Sequence, residues 1–138
     1  MALEISPDVD ERLTKTSIIW LTSVREDGTP QPTPVWFLWY DHAILIFSQP
    51  GAHKVRNIAH NARVALNLNT DEWGGSVLVV SGEARVETTP IPAAQMAAYL
   101  DKYREAIKNL GMTPEGMFQS YSTAIRVRPT RIRSEASG

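Results

Sequence analysis

Residues Ser17 to Val24 read Ser-Ile-Ile-Trp-Leu-Thr-Ser-Val, apolar and β-branched on both faces, the pattern of a buried strand. A polar turn, Glu26-Asp27-Gly28-Thr29-Pro30, follows it. Gln31 to Tyr40 then predicts a second strand, with Pro32 and Pro34 confining its start to an edge or a bulge. Asp41-His42 is a tight turn into a third strand, Ala43 to Ser48. Three strands on short turns predict an antiparallel meander. Farther on, Val64, Leu66 and Leu68 alternate with Ala65, Asn67 and Asn69, which makes Arg63 to Asn69 a half-buried strand. A turn containing Trp73 leads into a long strand, Ser76 to Glu87, where Gly82 marks a bulge. Thr123 to Arg133 closes the series, with Ile125 and Val127 on one face and Arg126 and Arg128 on the other.

Helical spacing appears in four places. Ser6-Pro7-Asp8-Val9-Asp10-Glu11 combines a cap, a first-turn proline and acids that complement the dipole, predicting a helix to about Lys15. A short helix runs from the Pro50-Gly51 turn to about His60. The longest starts at Thr89 or Pro90, carries Met96, Leu100, Tyr103 and Ile107 at helical spacing, and stops at Gly111. A last short one spans Glu115 to Tyr121. Six mostly antiparallel strands with helices inserted between them predict a mainly β fold, a small barrel with peripheral helices, because closure removes exposed edges.

The chain has 138 residues, the size of one domain, with 43% hydrophobic and 21% charged residues. No run reaches the ~20 apolar residues of a membrane span, and Met1 to Ile5 is not a secretory signal, so a cytoplasmic protein without membrane contact is expected. With no cysteine, thiolate nucleophiles, disulfides and Cys-based metal sites are excluded. A net charge of −1 argues against a nucleic-acid binder. His42, His53 and His60 have no metal-ligand spacing, and no phosphate-loop, dinucleotide or hydrolase motif is present.

Candidate chemistry concentrates in Ser48-Gln49-Pro50-Gly51-Ala52-His53-Lys54-Val55-Arg56-Asn57. A turn feeding a helix N-terminus leaves backbone N–H groups free at a positive dipole end, and Lys54, Arg56 and Asn57 add two charges and an amide. That is a place for a phosphate, or else an ordinary solvated face. Thr33-Pro34-Val35-Trp36-Phe37-Leu38-Trp39 is the second feature. Pro34 lacks an N–H and opens a gap in the ladder where a flat heterocycle could meet backbone groups; the alternative is a packed strand with two core tryptophans. Trp36, Trp39 and Trp73 read as exposed aromatics suited to an interface. With an anion site and aromatic surface but no evident acid, base or nucleophile, an enzyme of this sequence leaves the chemistry to a cofactor.

Several segments together carry a resemblance. They are Leu21-Thr22-Ser23-Val24, Asp27-Gly28 with Pro30, Pro34-Val35-Trp36-Phe37, Ser48-Gln49-Pro50 with Lys54 to Ile58, and Asn61-Ala62-Arg63-Val64-Ala65-Leu66. In this order they resemble the split β-barrel flavoproteins of the pyridoxamine 5′-phosphate oxidase-like superfamily, most of all its small actinobacterial branch that uses the deazaflavin coenzyme F420. The resemblance covers roughly residues 8 to 133. It implies a six-stranded antiparallel FMN-binding split β-barrel of Greek-key type filling residues 1–138 as one domain, and a homodimer with two cofactor sites at the interface. It implies that Lys54, Arg56 and Asn57 hold the phosphate or anionic tail, that Pro34, Val35 and Trp36 meet the ring, and that Phe47 and Ser48 lie beside it. Trp73 and the Arg126 strand would come from the partner subunit. Thr33 before Pro34, and a last strand without tryptophan, depart from pyridoxamine phosphate oxidase itself and argue against that reaction. The resemblance implies instead hydride transfer from reduced coenzyme F420 to a small acceptor, with an FMN-dependent reductase or oxidase, or a non-catalytic flavin, deazaflavin or haem binder, as alternatives. Arg126 and Arg128 suit the acidic tail of the deazaflavin; haem would need His53 or His60 at the iron.

Overall fold

The computed structural model describes residues 3–135; residues 1, 2 and 136–138 of the expected single domain lie outside the described part. Helix α1 (Pro7–Lys15) starts as its sequence dictates, with the Ser6 hydroxyl accepting the Val9 N–H at 3.2 Å. The strands β1 (Ile18–Val24) and β2 (Pro30–Trp36) form a hairpin, and β3 (Leu38–Tyr40) forms a second one with β4 (Ala43–Ser48). The second hairpin turns on Asp41 and His42, both in the left-handed region (φ 49° and 57°), which suits the twist of the flanking strands. Helix α2 (His53–His60) precedes β5 (Arg63–Asn67) and β6 (Val77–Val86). Helices α3 (Ala93–Asn109) and α4 (Pro114–Ser120) then separate β6 from β7 (Thr123–Glu135).

All seven strands make one antiparallel sheet in the order β2-β1-β5-β6-β7-β4-β3. The expected six strands become seven because Gln31–Tyr40 is not one strand. It breaks at Phe37, and its two halves pair at opposite ends of the sheet: Trp36 opposes Ile18, whereas Leu38 opposes Leu45. The meander expectation is corrected with it. The two edge strands are consecutive in the chain, so one residue, Phe37, draws both ends of the sheet together and curls it. The backbone at this junction belongs to neither ladder, and α3 satisfies it. The Phe37 N–H donates to the Tyr103 hydroxyl at 2.8 Å, that hydroxyl donates to the Ser17 carbonyl at 2.6 Å, and Lys102 Nζ donates to the Phe37 carbonyl at 2.8 Å.

Two cores result. Inside the curl, Ile19, Leu21, Phe37, Ile44, Ile46, Leu66, Val80, Ile125 and Val127 pack together, closed off by Val9 and Leu13 of α1 and Ile58 of α2. Outside the β3–β4–β7 end, Leu38, Leu45 and Ala124 pack against Tyr99, Tyr103 and Ile107 of α3 and Met117 of α4. Strand β4 is thus buried on both faces.

On β2 the prolines fall at 30, 32 and 34, every second residue of an edge strand. In an antiparallel ladder a residue's N–H and C=O point the same way, so all three missing donors lie on the free edge and the pairing with β1 survives intact. The bulge expected at Gly82 is present: the register between β6 and β7 shifts at Ser81/Gly82. A Cβ on Gly82 would stand 2.6 Å from the Arg128 carbonyl oxygen and 2.8 Å from Val127 Cγ1. Gly82→Ala should therefore lower unfolding stability by roughly 1–2 kcal/mol, since the crowding atom is backbone. An unchanged urea midpoint in that variant would contradict the close approach.

Candidate functional site

Two clefts meet at Lys54. The first, about 290 Å³, is mainly apolar. One wall comes from the sheet: Pro34, Val35 and Trp36 at the end of β2, and Phe47 of β4. The opposite wall comes from the helices and their connection: Tyr99, Leu110, Met112, Met117 and Tyr121. Trp36 stacks flat on Tyr103 (centroids 4.6 Å apart, planes within 2°), and Phe47 meets Tyr99 edge-on at 4.8 Å, so both walls are fixed by aromatic packing. The second cleft, about 310 Å³, has mostly polar residue types around it: Ser23 of β1, Gln31, Pro32 and Thr33 of β2, and Ala52, His53, Lys54 and Asn57 at the start of α2.

Lys54 lines both clefts. It is half-buried, and burial alone pulls its ammonium below the ordinary lysine value. Among the described residues no carboxylate stands within ion-pair distance of it. It projects from a helix whose N-cap is Ala52, which has no side-chain group to cap the first amides. A cation without a carboxylate partner and a helix start without a side-chain cap thus border the same cleft.

The other expected site residues divide. Pro34, Val35, Trp36 and Phe47 gather on one wall of the first cleft. Asn57 reaches the polar cleft but is buried, and its amide already donates to Ser23 Oγ at 3.0 Å and Gln31 Oε1 at 2.8 Å. It pins α2 to the first hairpin and thereby fixes the direction of Lys54. Arg56 is exposed and bound within its own turn, to the Gly51 carbonyl at 3.0 Å and to His53 Nδ1 at 2.8 Å; it lines neither cleft. Ser48 is fully buried and turns its hydroxyl onto the Gln49 carbonyl at 2.9 Å, also away from both clefts. Arg126 is mostly buried and already paired, through Nε to Glu87 at 2.7 Å and through its terminal nitrogen to Gln95 at 2.8 Å. Arg128 pairs with Glu83 at 3.0 Å.

The tryptophans need correction. Trp39 is buried and donates to Asp10 at 2.8 Å, and Trp36 is half-buried against Tyr103. Trp73 alone of the three is exposed, at 86%. Its turn is well held: the Asp71 carboxylate accepts the Trp73 N–H at 2.9 Å and the Gly75 N–H at 2.8 Å. Sequence reasoning also missed the helical wall. Tyr99 lies one turn before Tyr103 on α3 and lines the cleft, but the helical spacing of Met96, Leu100, Tyr103 and Ile107 passes it over.

The sequence pattern of the family described as pyridoxamine 5′-phosphate oxidase matches residues 5–136. No curated protein sequence matches. Among solved structures, an F420 reductase is 26% identical, with a TM-score of 0.65 over 90% of this chain and 94% of its own. A FAD-binding protein from Mesorhizobium loti is 17% identical (TM-score 0.72, covering 95% and 92%). HutZ, the heme storage protein from Vibrio cholerae, is 16% identical (TM-score 0.73, covering 99% and 98%). No helix of the described residues is long and apolar enough to cross a membrane.

Proposed function

The chain belongs to the pyridoxamine 5′-phosphate oxidase family, and from that premise we propose that it is an oxidoreductase working with coenzyme F420, in which hydride passes to a small acceptor with an electron-poor double bond. The observation that carries this reading is Lys54: a half-buried cation without a carboxylate, standing where an apolar slot opens into a polar cleft. The donor set fits a group with a flat ring and an anionic arm. The similarity to an F420 reductase at 26% identity supports the deazaflavin over other tricyclic cofactors.

When bound, the reduced deazaflavin supplies the hydride; orientation and shielding fall to the protein. Lys54 and the first amides of α2 hold the anionic arm. Pro34, Val35, Trp36 and Phe47 form the face against which the ring lies, and their apolar surface excludes water from it. Asn57 contributes by anchoring α2 rather than by charge. Arg56 and Arg126, both already engaged, are secondary. A second copy of the chain completes the site, with Trp73 delivered on its rigid turn and the Arg126 strand alongside. Haem draws less support: His53 is tied by Nδ1 to Arg56, and His60 is exposed at the far end of α2.

The test is a paired fluorescence titration of the purified protein with coenzyme F420 and with FMN. Tighter binding of F420 is expected. A preference for FMN moves the protein to flavin chemistry, and binding of neither removes the cofactor reading.

A further inference from the structure

Tyr99 is 2% exposed and lines the apolar cleft. Its neighbour Tyr103 spends its hydroxyl on the Phe37 junction, but Tyr99 does not follow suit: among the described residues no group accepts from or donates to its hydroxyl. Nor is that oxygen sealed in, because no fully enclosed side-chain oxygen or nitrogen in the described structure lacks a partner. The hydroxyl therefore keeps a narrow opening, and the opening its residue lines is the cleft. A polar group held in an apolar wall without a partner costs stability unless something else pairs with it.

We propose that the helical wall of this cleft is a ligand subsite for a neutral, planar, largely apolar molecule bearing one carbonyl-type acceptor, and that the Tyr99 hydroxyl donates to that acceptor. The inference deepens the oxidoreductase reading, and rests on it in one respect: the cofactor ring takes the Trp36–Phe47 wall, which leaves the α3–α4 wall to the substrate. Burial holds the Tyr99 phenol well above its ordinary value, so it remains a donor throughout the working pH range. The rest of the wall carries no charge. Met112 and Met117 offer soft, adaptable surface, and Leu110 adds apolar area. The cleft's one charged side chain, Lys54, belongs equally to the polar cleft and is claimed by the anionic arm. An anionic acceptor would thus have no cation of its own, whereas a neutral carbonyl needs only the Tyr99 donor.

The test uses the full chain without cofactor, labelled with ¹³C at the methionine methyls, and the probe pair 1-indanone and indane, which differ only in the carbonyl. Indanone should shift the Met112 and Met117 methyls while leaving Met96, which lines the neighbouring cleft beside Glu87 across Phe47 and Tyr121, unmoved. It should bind about fivefold more tightly than indane, the worth of one neutral hydrogen bond. Tyr99→Phe should abolish that preference without lowering the unfolding midpoint, because no internal hydrogen bond is lost, and Tyr121→Phe should retain it. Equal binding of the two probes, no shift at either methionine, shifts at Met96 instead, or a preference that survives Tyr99→Phe overturns the proposal. Since no cofactor is present, this result is independent of the F420 and FMN titrations, and either reading can fail alone.

Discussion

Tyr103→Ala should abolish or nearly abolish folding, with an expected loss of about 5 kcal/mol. Truncating a large buried aromatic costs roughly 3–5 kcal/mol, and leaving buried backbone groups without partners adds about 1–3 kcal/mol. Tyr103 is 2% exposed, stacks under Trp36, and serves both the Phe37 N–H and the Ser17 carbonyl. A domain of this size has only ~5–15 kcal/mol in total. Tyr103→Phe isolates the polar part: the ring and its stacking remain, and only the hydroxyl goes. Its expected cost is about 2 kcal/mol. Urea unfolding of the phenylalanine variant reads this as a lowered midpoint at constant slope. A midpoint equal to the parent's would show that the junction does not depend on the Tyr103 hydroxyl.

Lys54→Ala should weaken coenzyme F420 binding by ~1.5–3 kcal/mol, or roughly 10- to 150-fold in the dissociation constant, the range of a charge-assisted bond to an anionic oxygen. The effect is expected to be large because the ammonium is half-buried, so its field is less screened than that of an exposed lysine. Arg56→Ala provides the contrast. That guanidinium is exposed and bonded to Gly51 and His53, and its removal should cost well under about 1 kcal/mol. Titration of both variants in the same buffer decides the matter. Equal losses would return Arg56 to the site, and an unchanged constant in Lys54→Ala would remove the anion site from α2.

What the sequence disclosed was local. The Ser6 cap, the Asp41-His42 turn, the start of α2 and the Gly82 bulge each depend on a few neighbouring residues, and each stands where those residues put it. The Pro34-Val35-Trp36 stretch stood out through the N–H that Pro34 lacks and Phe47 through the family resemblance, and all four residues line one cleft. What escaped was set by distant partners. Nothing within Gln31–Tyr40 announces a break at Phe37, because the residues that stabilise it, Lys102 and Tyr103, lie in α3. The anchoring bonds of Asn57 were not visible in the sequence because its partners Ser23 and Gln31 are far along the chain. Arg126 looked free because Glu87 and Gln95 meet it only after β6 and α3 have packed. Trp39 looked exposed because Asp10 arrives from α1.

The proline spacing of β2 bears on how two such sheets can associate. An edge strand ordinarily offers alternating donors and acceptors to any passing chain, the template on which fibres grow. From Pro30 to Pro34 this edge offers carbonyl oxygens with no amide hydrogens between them. Two copies brought edge to edge would find acceptor facing acceptor. Self-association along β2 therefore gains nothing from the backbone, and any contact made there rests on side chains alone.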